Sequence, residues 1–170
     1  AMGSGGQVAR EFRALLSSLW GGQLHGPCRP LKFRASVVRS AEQFLGSEQQ
    51  DSQEFAAYLL NCLHEDLNAA KKERSIIAEL FQGQMRSQIR CLRCGYLSTK
   101  FESFFYLSLP VVDATGAPIS SLTGCMREFV RDEHLTGDER WRCPNCQDRV
   151  EAMKSLAICR LPRVLILHLK

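Results

Sequence analysis

The chain has 170 residues, 45% hydrophobic and 24% charged, with 22 Lys+Arg against 18 Asp+Glu for a net charge of +4. That balance is typical of a folded globular domain and excludes a disordered tail, a collagen-like fibre and a disulfide-dense mini-protein. The excess charge lies in residues 86–170 (13 basic, 9 acidic) and is interspersed with acids, which argues against a nucleic-acid partner.

Residues 1–6 (Ala-Met-Gly-Ser-Gly-Gly) read as an expression scar or flexible linker. Residues 7–20 predict a helix, because Val8, Phe12, Leu15, Leu16 and Leu19 recur at helical spacing and Gly21-Gly22 ends the run. A loop with Pro27 and Pro30 follows, then a short helix around 31–40 and a turn at Leu45-Gly46-Ser47. The clearest helix spans about 51–67, with Phe55, Leu59, Cys62 and Leu63 on one apolar stripe. Lys71 to Arg74 form a charged bridge to a short apolar helix at Ile76–Phe81. After Gly83 the period changes to two: Met85, Ser87, Ile89 and Cys91 alternate with Gln84, Arg86, Gln88 and Arg90, as in a half-buried strand. An aromatic-rich strand is expected at about 97–111 and a helix near 120–131. Strands are expected at 139–143, 149–160 and 163–170. The last, Val164 to Leu169, is almost continuously apolar and reads as a central strand. The apolar run Leu161–Leu169 is broken by Arg163 and His168 and falls short of the roughly 18 residues of a membrane span. The fold class is α+β, helices first and an antiparallel sheet region after them.

Four of the eight cysteines form two C-x-x-C pairs, Cys91/Cys94 and Cys143/Cys146, separated by 48 residues. A C-x-x-C turn presents two sulfurs to one ion, and two such turns complete a tetrahedron. These four residues are therefore the candidate ligands of one structural zinc, with no coordination position left for water. Cys62 reads as core and Cys28 as the cysteine most exposed to solvent; a Cys28/His25 pair is conceivable, an incidental loop thiol the blander reading. With no secretory signal visible, the thiols point to a reducing, intracellular compartment.

Gln49-Gln50-Asp51-Ser52-Gln53-Glu54-Phe55 opens the best helix. Asp51 and Glu54 match a capping box, which explains them structurally. The alternative is an acidic stripe (Asp51, Glu54, Tyr58, Asn61, Glu65) able to grip a basic peptide, since carboxylates pair bidentately with arginine.

At these residues the chain resembles the ubiquitin-specific proteases, a family of cysteine-type deubiquitinases. The resemblance runs through Gln49 to Phe55, Leu63 to Asn68, Phe81 to Gln84, Cys91 to Cys94, Phe105 to Pro110, Trp141 to Cys146 and Leu161 to Lys170, in the family's order. It implies a papain-like, fingers–palm–thumb architecture. Residues 7–83 would supply helical thumb and palm parts, 84–160 the zinc-bearing fingers and 161–170 the start of a central palm strand. It implies ubiquitin as partner, Asp51 and Glu54 as contacts to its basic C-terminal tail, and Cys91, Cys94, Cys143 and Cys146 as fingertip zinc ligands.

The family's nucleophile block and histidine block have no counterpart in this sequence, so no catalytic residue is assigned. His168 reads as a structural strand histidine, and His25, His64 and His134 as surface or cap residues. The expectation is that this chain by itself lacks proteolytic activity. Three readings follow: a cut piece of a catalytic domain, one half of a split enzyme completed by a second polypeptide, or a non-catalytic zinc-containing module that binds ubiquitin or another protein. Neither nucleic acid nor membrane is an expected partner.

Overall fold

A computed structural model describes residues 4–21, 26–46, 48–68 and 75–170. His25, Ser47 and the Lys71–Arg74 bridge lie outside the described residues. The chain divides into two units, residues 1–80 and 81–170.

The first unit is helical: α1 (Gln7–Trp20), α2 (Leu31–Val38), α3 (Ser52–Leu67) and α4 (Ile76–Phe81), with a short 3-10 turn at Glu42–Phe44. Each helix begins within a residue of its expected start, and at α3 the Asp51 cap marks it. Helix α1 packs on α2 and α3, with Phe12 against Phe33 at 5.5 Å between ring centroids. Phe44 meets Phe55 edge-on at 5.3 Å and also touches Tyr58. Val8, Phe33, Val37, Phe44, Cys62, Leu63 and Ile77 are buried. Cys62 is core, as its place on the apolar stripe predicts. Its thiol pKa is raised, chiefly by burial.

Ser4 and Gly6 are held by hydrogen bonds to α3. The Ser4 hydroxyl donates to Asp66 Oδ2 at 2.5 Å, and the amides of Ser4, Gly6 and Ala9 donate to the same carboxylate at 2.8–3.1 Å. Gly6 has no side chain to cap α1, so a carboxylate from α3 receives the orphan amides instead. Burial alone would raise the Asp66 pKa. The four donors outweigh it and hold the carboxyl below its ordinary value. Sequence reasoning missed this, because the partner lies about 60 residues away.

His64 Nδ1 lies 2.6 Å from the buried hydroxyl of Ser75, which accepts the Ala78 amide at 3.1 Å and so caps α4.

The second unit holds β1 (Gly83–Cys91), β2 (Leu97–Phe104), β3 (Tyr106–Leu109), α5 (Leu122–Phe129), β4 (Glu133–Leu135), β5 (Trp141–Cys143), β6 (Asp148–Val150), β7 (Ala152–Arg160) and β8 (Ile166–Leu169). An antiparallel sheet runs in the order β2-β1-β7-β4, and β5 and β6 form a separate hairpin. The strand expected at 97–111 is in fact two strands. It bends at Phe105, so that β2 pairs with β1 while β3 pairs in parallel with β8. The antiparallel sheet region expected is present, and the β3–β8 pair adds a parallel ladder beside it. A continuous aromatic run carries no mark of where the chain changes sheet. The strand expected at 149–160 is likewise interrupted at Glu151, and Val164 and Leu165 precede β8 rather than belonging to it.

Phe104, Leu107, Leu109 and Cys125 form one buried cluster of this unit, with Met85, Met126, Phe129, Ile158 and Leu167 packed around it. Leu107 and Leu109 are fully buried, each worth about 1.5–3 kcal/mol of transfer free energy. Gly83 stands opposite Phe104, whose ring lies over the glycine where a Cβ would be. A bulge between Gln84 and Met85 leaves Cys159 outside the β1–β7 register. Cys159 is exposed whereas Cys28 is half-buried, so the expectation that Cys28 is the most exposed is corrected. His168 pairs with the Ser108 hydroxyl at 3.1 Å across the parallel strands, the structural role its strand position predicts.

Candidate metal centre and acidic helix start

Strand β1 delivers Cys91 at its last residue, and β5 delivers Cys143 at its last residue. Each strand then turns back through the same knuckle. The amide of Cys94 points at Cys91 Sγ and the amide of Cys146 at Cys143 Sγ, both at 3.4 Å. The next amides close each turn, Gly95 N to Cys91 O at 3.0 Å and Gln147 N to Cys143 O at 2.8 Å. The residue after each second cysteine adopts a left-handed backbone, with φ 74° at Gly95 and 55° at Gln147. Glycine does this without strain; a side chain at the second knuckle costs about 1–2 kcal/mol.

The two knuckles face one another. Cys91 Sγ lies 3.8 Å from Cys146 Sγ, and Cys94 Sγ 3.7 Å from Cys143 Sγ. All four sulfurs fall within 4.8 Å of each other. A disulfide needs about 2.05 Å, so these are thiols. A zinc ion with Zn–S bonds of about 2.3 Å in a tetrahedron sets its ligand sulfurs ~3.8 Å apart. The donor set, spacing and number therefore fit one zinc ion. Cys91 and Cys143 are buried, while Cys94 lies at the surface. Hydrogen bonding from the Asn145 side chain and the Tyr96 backbone pulls the Cys94 thiol down to about 6. Cys146 is pushed up to about 12, first by its bond to Cys94 and then by desolvation. Thiols this close readily carry one negative charge but not four, and holding all four as thiolates takes a cation among them.

The supporting contacts were not legible beforehand. Arg93 in the first knuckle pairs with Asp148 beside the second at 3.0 Å, and Tyr96 stacks on Trp141 with centroids 6.3 Å apart. Val150 and Trp141 close the apolar side of the cluster. The one available signal was the symmetry of position, since Tyr96 follows the first C-x-x-C and Trp141 precedes the second.

In the first unit Asp51 is the N-cap of α3, and its Oδ1 accepts from the amides of Gln53 at 2.7 Å and Glu54 at 3.4 Å. Both Asp51 and Glu54 are exposed on the first turn. Tyr58, placed on the same stripe by the helical wheel, is committed elsewhere: its hydroxyl lies 2.6 Å from Ser40 Oγ.

Among the described residues no helix is long and apolar enough to cross a membrane. Residues 2–170 match the family model described as ubiquitin carboxyl-terminal hydrolase. Human ubiquitin carboxyl-terminal hydrolase 2 is 34% identical over an alignment covering 96% of this chain and 31% of the human protein. Ubiquitin carboxyl-terminal hydrolase 4 of Saccharomyces cerevisiae (strain RM11-1a) is 34% identical, covering 99% of this chain and 22% of the yeast protein. A solved structure of the SAGA DUB module of Ubp8, Sgf11, Sus1 and Sgf73 bound to monoubiquitin matches with a TM-score of 0.75 and 25% identity, over 96% of this chain and 37% of that one. The chain thus spans less than two fifths of each of these proteins.

Proposed function

Because the chain belongs to the ubiquitin carboxyl-terminal hydrolase family, as a ubiquitin-specific protease, we propose that it serves a deubiquitinase catalytic domain as the part that holds ubiquitin. In this reading residues 84–160 are zinc-bearing fingers, residues 7–83 contribute to thumb and palm, and residues 161–170 begin a central palm strand. The observation that carries it is the convergence of Cys91, Cys94, Cys143 and Cys146 at the end of a four-stranded sheet. One zinc ion there locks two distant segments into a rigid tip able to bear on a folded partner. Asp51 and Glu54 offer carboxylates to the basic C-terminal tail of ubiquitin, where arginine pairs bidentately.

Hydrolysis of the isopeptide bond needs a thiolate, an imidazole beside it and an oxyanion hole. His64 and His168 in this chain are engaged with serine hydroxyls. We therefore assign neither histidine to bond cleavage and read the chain as the part that holds substrate. The matched SAGA module combines Ubp8 with Sgf11, Sus1 and Sgf73; the partner this reading calls for is a second polypeptide that carries the nucleophile and histidine blocks. Eight free thiols suit a reducing, intracellular compartment.

The test is a titration of fluorescently labelled monoubiquitin with the zinc-loaded chain. Saturable binding, weakened by charge removal at Asp51 or Glu54, is expected. Absence of binding sinks the holding role, and turnover of a ubiquitin–fluorophore conjugate by these residues alone overturns the division of labour.

A further inference from the structure

Strand β2 is one of the two outer strands of the four-stranded sheet, β4 being the other. Its inner side pairs with β1 along its whole length, Leu97 to Phe104. Among the described residues no strand pairs with its outer side. Such an edge is a row of open amides and carbonyls, and it recruits another strand unless something guards it. This edge is long, free of proline and unbulged, and it carries Phe101 at 61% exposure. Lys100 beside it would be a guard if it stood alone. Glu102, two residues on, shares its face of the strand.

We propose that β2 pairs antiparallel with β2 of a second copy of this chain, about a two-fold axis through Phe101, joining two four-stranded sheets into one. The strand is complementary to itself in that register. Lys100 stands opposite Glu102 of the second copy, and symmetry repeats the pair. Thr99 stands opposite Ser103, hydroxyl to hydroxyl, and Phe101 stands opposite its own symmetry mate. Opposite charges, hydroxyl pairs and aromatic pairs are the stabilising cross-strand combinations. No neighbouring register does this. A slip of one residue sets Phe101 against Glu102 or Lys100, and a slip of two sets like charge against like charge. The interface is isologous and closed, so it yields a dimer and not a fibre. It goes beyond the ubiquitin-holding role and does not depend on it.

Sedimentation velocity of the zinc-loaded chain over a concentration series tests the pairing. A monomer–dimer equilibrium is expected. Glu102→Lys and Lys100→Glu each turn two attractive pairs into repulsive ones, weakening the dimer about tenfold or more. Mixing the two variants restores a heterodimer of wild-type strength, and the double swap Lys100→Glu/Glu102→Lys restores the homodimer. Recovery in the mixture also shows that both variants fold. A wild-type chain that stays monomeric throughout, single variants that dimerise as tightly as wild type, or a mixture and a double swap that both remain monomeric would each overturn the proposal.

Discussion

Cys91 and Cys146 are 55 residues apart in the chain, yet their sulfurs stand 3.8 Å from one another. That distance matches an edge of the tetrahedron zinc imposes on thiolates, so one ion there would tie the end of β1 to the β5–β6 hairpin. Metal binding energy at such a site is folding energy.

Zinc analysis should therefore find one ion per chain, and Cys146→Ser should abolish stoichiometric binding. Chelation should lower the melting temperature of the second unit by about 10 °C or more. Tryptophan emission should report the same event. Trp20 is already 77% exposed, whereas Trp141 is half-buried against Tyr96 and the cysteine cluster. A red shift on chelation, lost in Trp141→Phe, is the expected signature.

The capping and binding roles of Asp51 separate by choice of substitution. Asp51→Asn keeps an amide-accepting oxygen at the N-cap and removes the charge, whereas Asp51→Ala removes both. The alanine variant should lose about 1 kcal/mol of stability and the asparagine variant much less. Ubiquitin affinity should fall in both. Affinity that tracks stability alone, falling only in the alanine variant, would leave Asp51 as a cap and nothing more.

Asp66 makes the first unit acid-sensitive. Its carboxyl titrates below the ordinary 3.8 in the folded chain because Ser4, Gly6 and Ala9 donate to the ionised form. A depressed carboxyl stabilises the fold above its unfolded value and loses that contribution as pH falls through the folded value. Unfolding followed between pH 5 and 2 should show the loss below about pH 4. Asp66→Asn should remove the dependence and cost about 1–2 kcal/mol at neutral pH. An unchanged acid limb in that variant would contradict the assignment.

Gly83 is required by shape and not by backbone angle. An alanine Cβ there would run into the Phe104 ring across the β1–β2 pair. Gly83→Ala should destabilise the second unit by about 1–3 kcal/mol through overpacking. Pairing it with Phe104→Leu, which removes the ring, should recover part of the loss; denaturant unfolding of the single and double variants measures the coupling.

What could be read from the sequence was local chemistry. Apolar spacing marked α1, α3 and β1, the C-x-x-C pairs marked the four sulfurs, and Asp51 announced its helix start. Each of these signals fits within a few residues, where backbone geometry and side-chain reach allow few alternatives. Tertiary structure alone decided the rest. It bent the aromatic run at Phe105 between two sheets, set β3 parallel to β8, brought Asp66 under Ser4 and left the outer side of β2 open. Those outcomes depend on which distant faces are buried together, and a strand or a carboxylate carries no local mark of the partner that packing will bring to it.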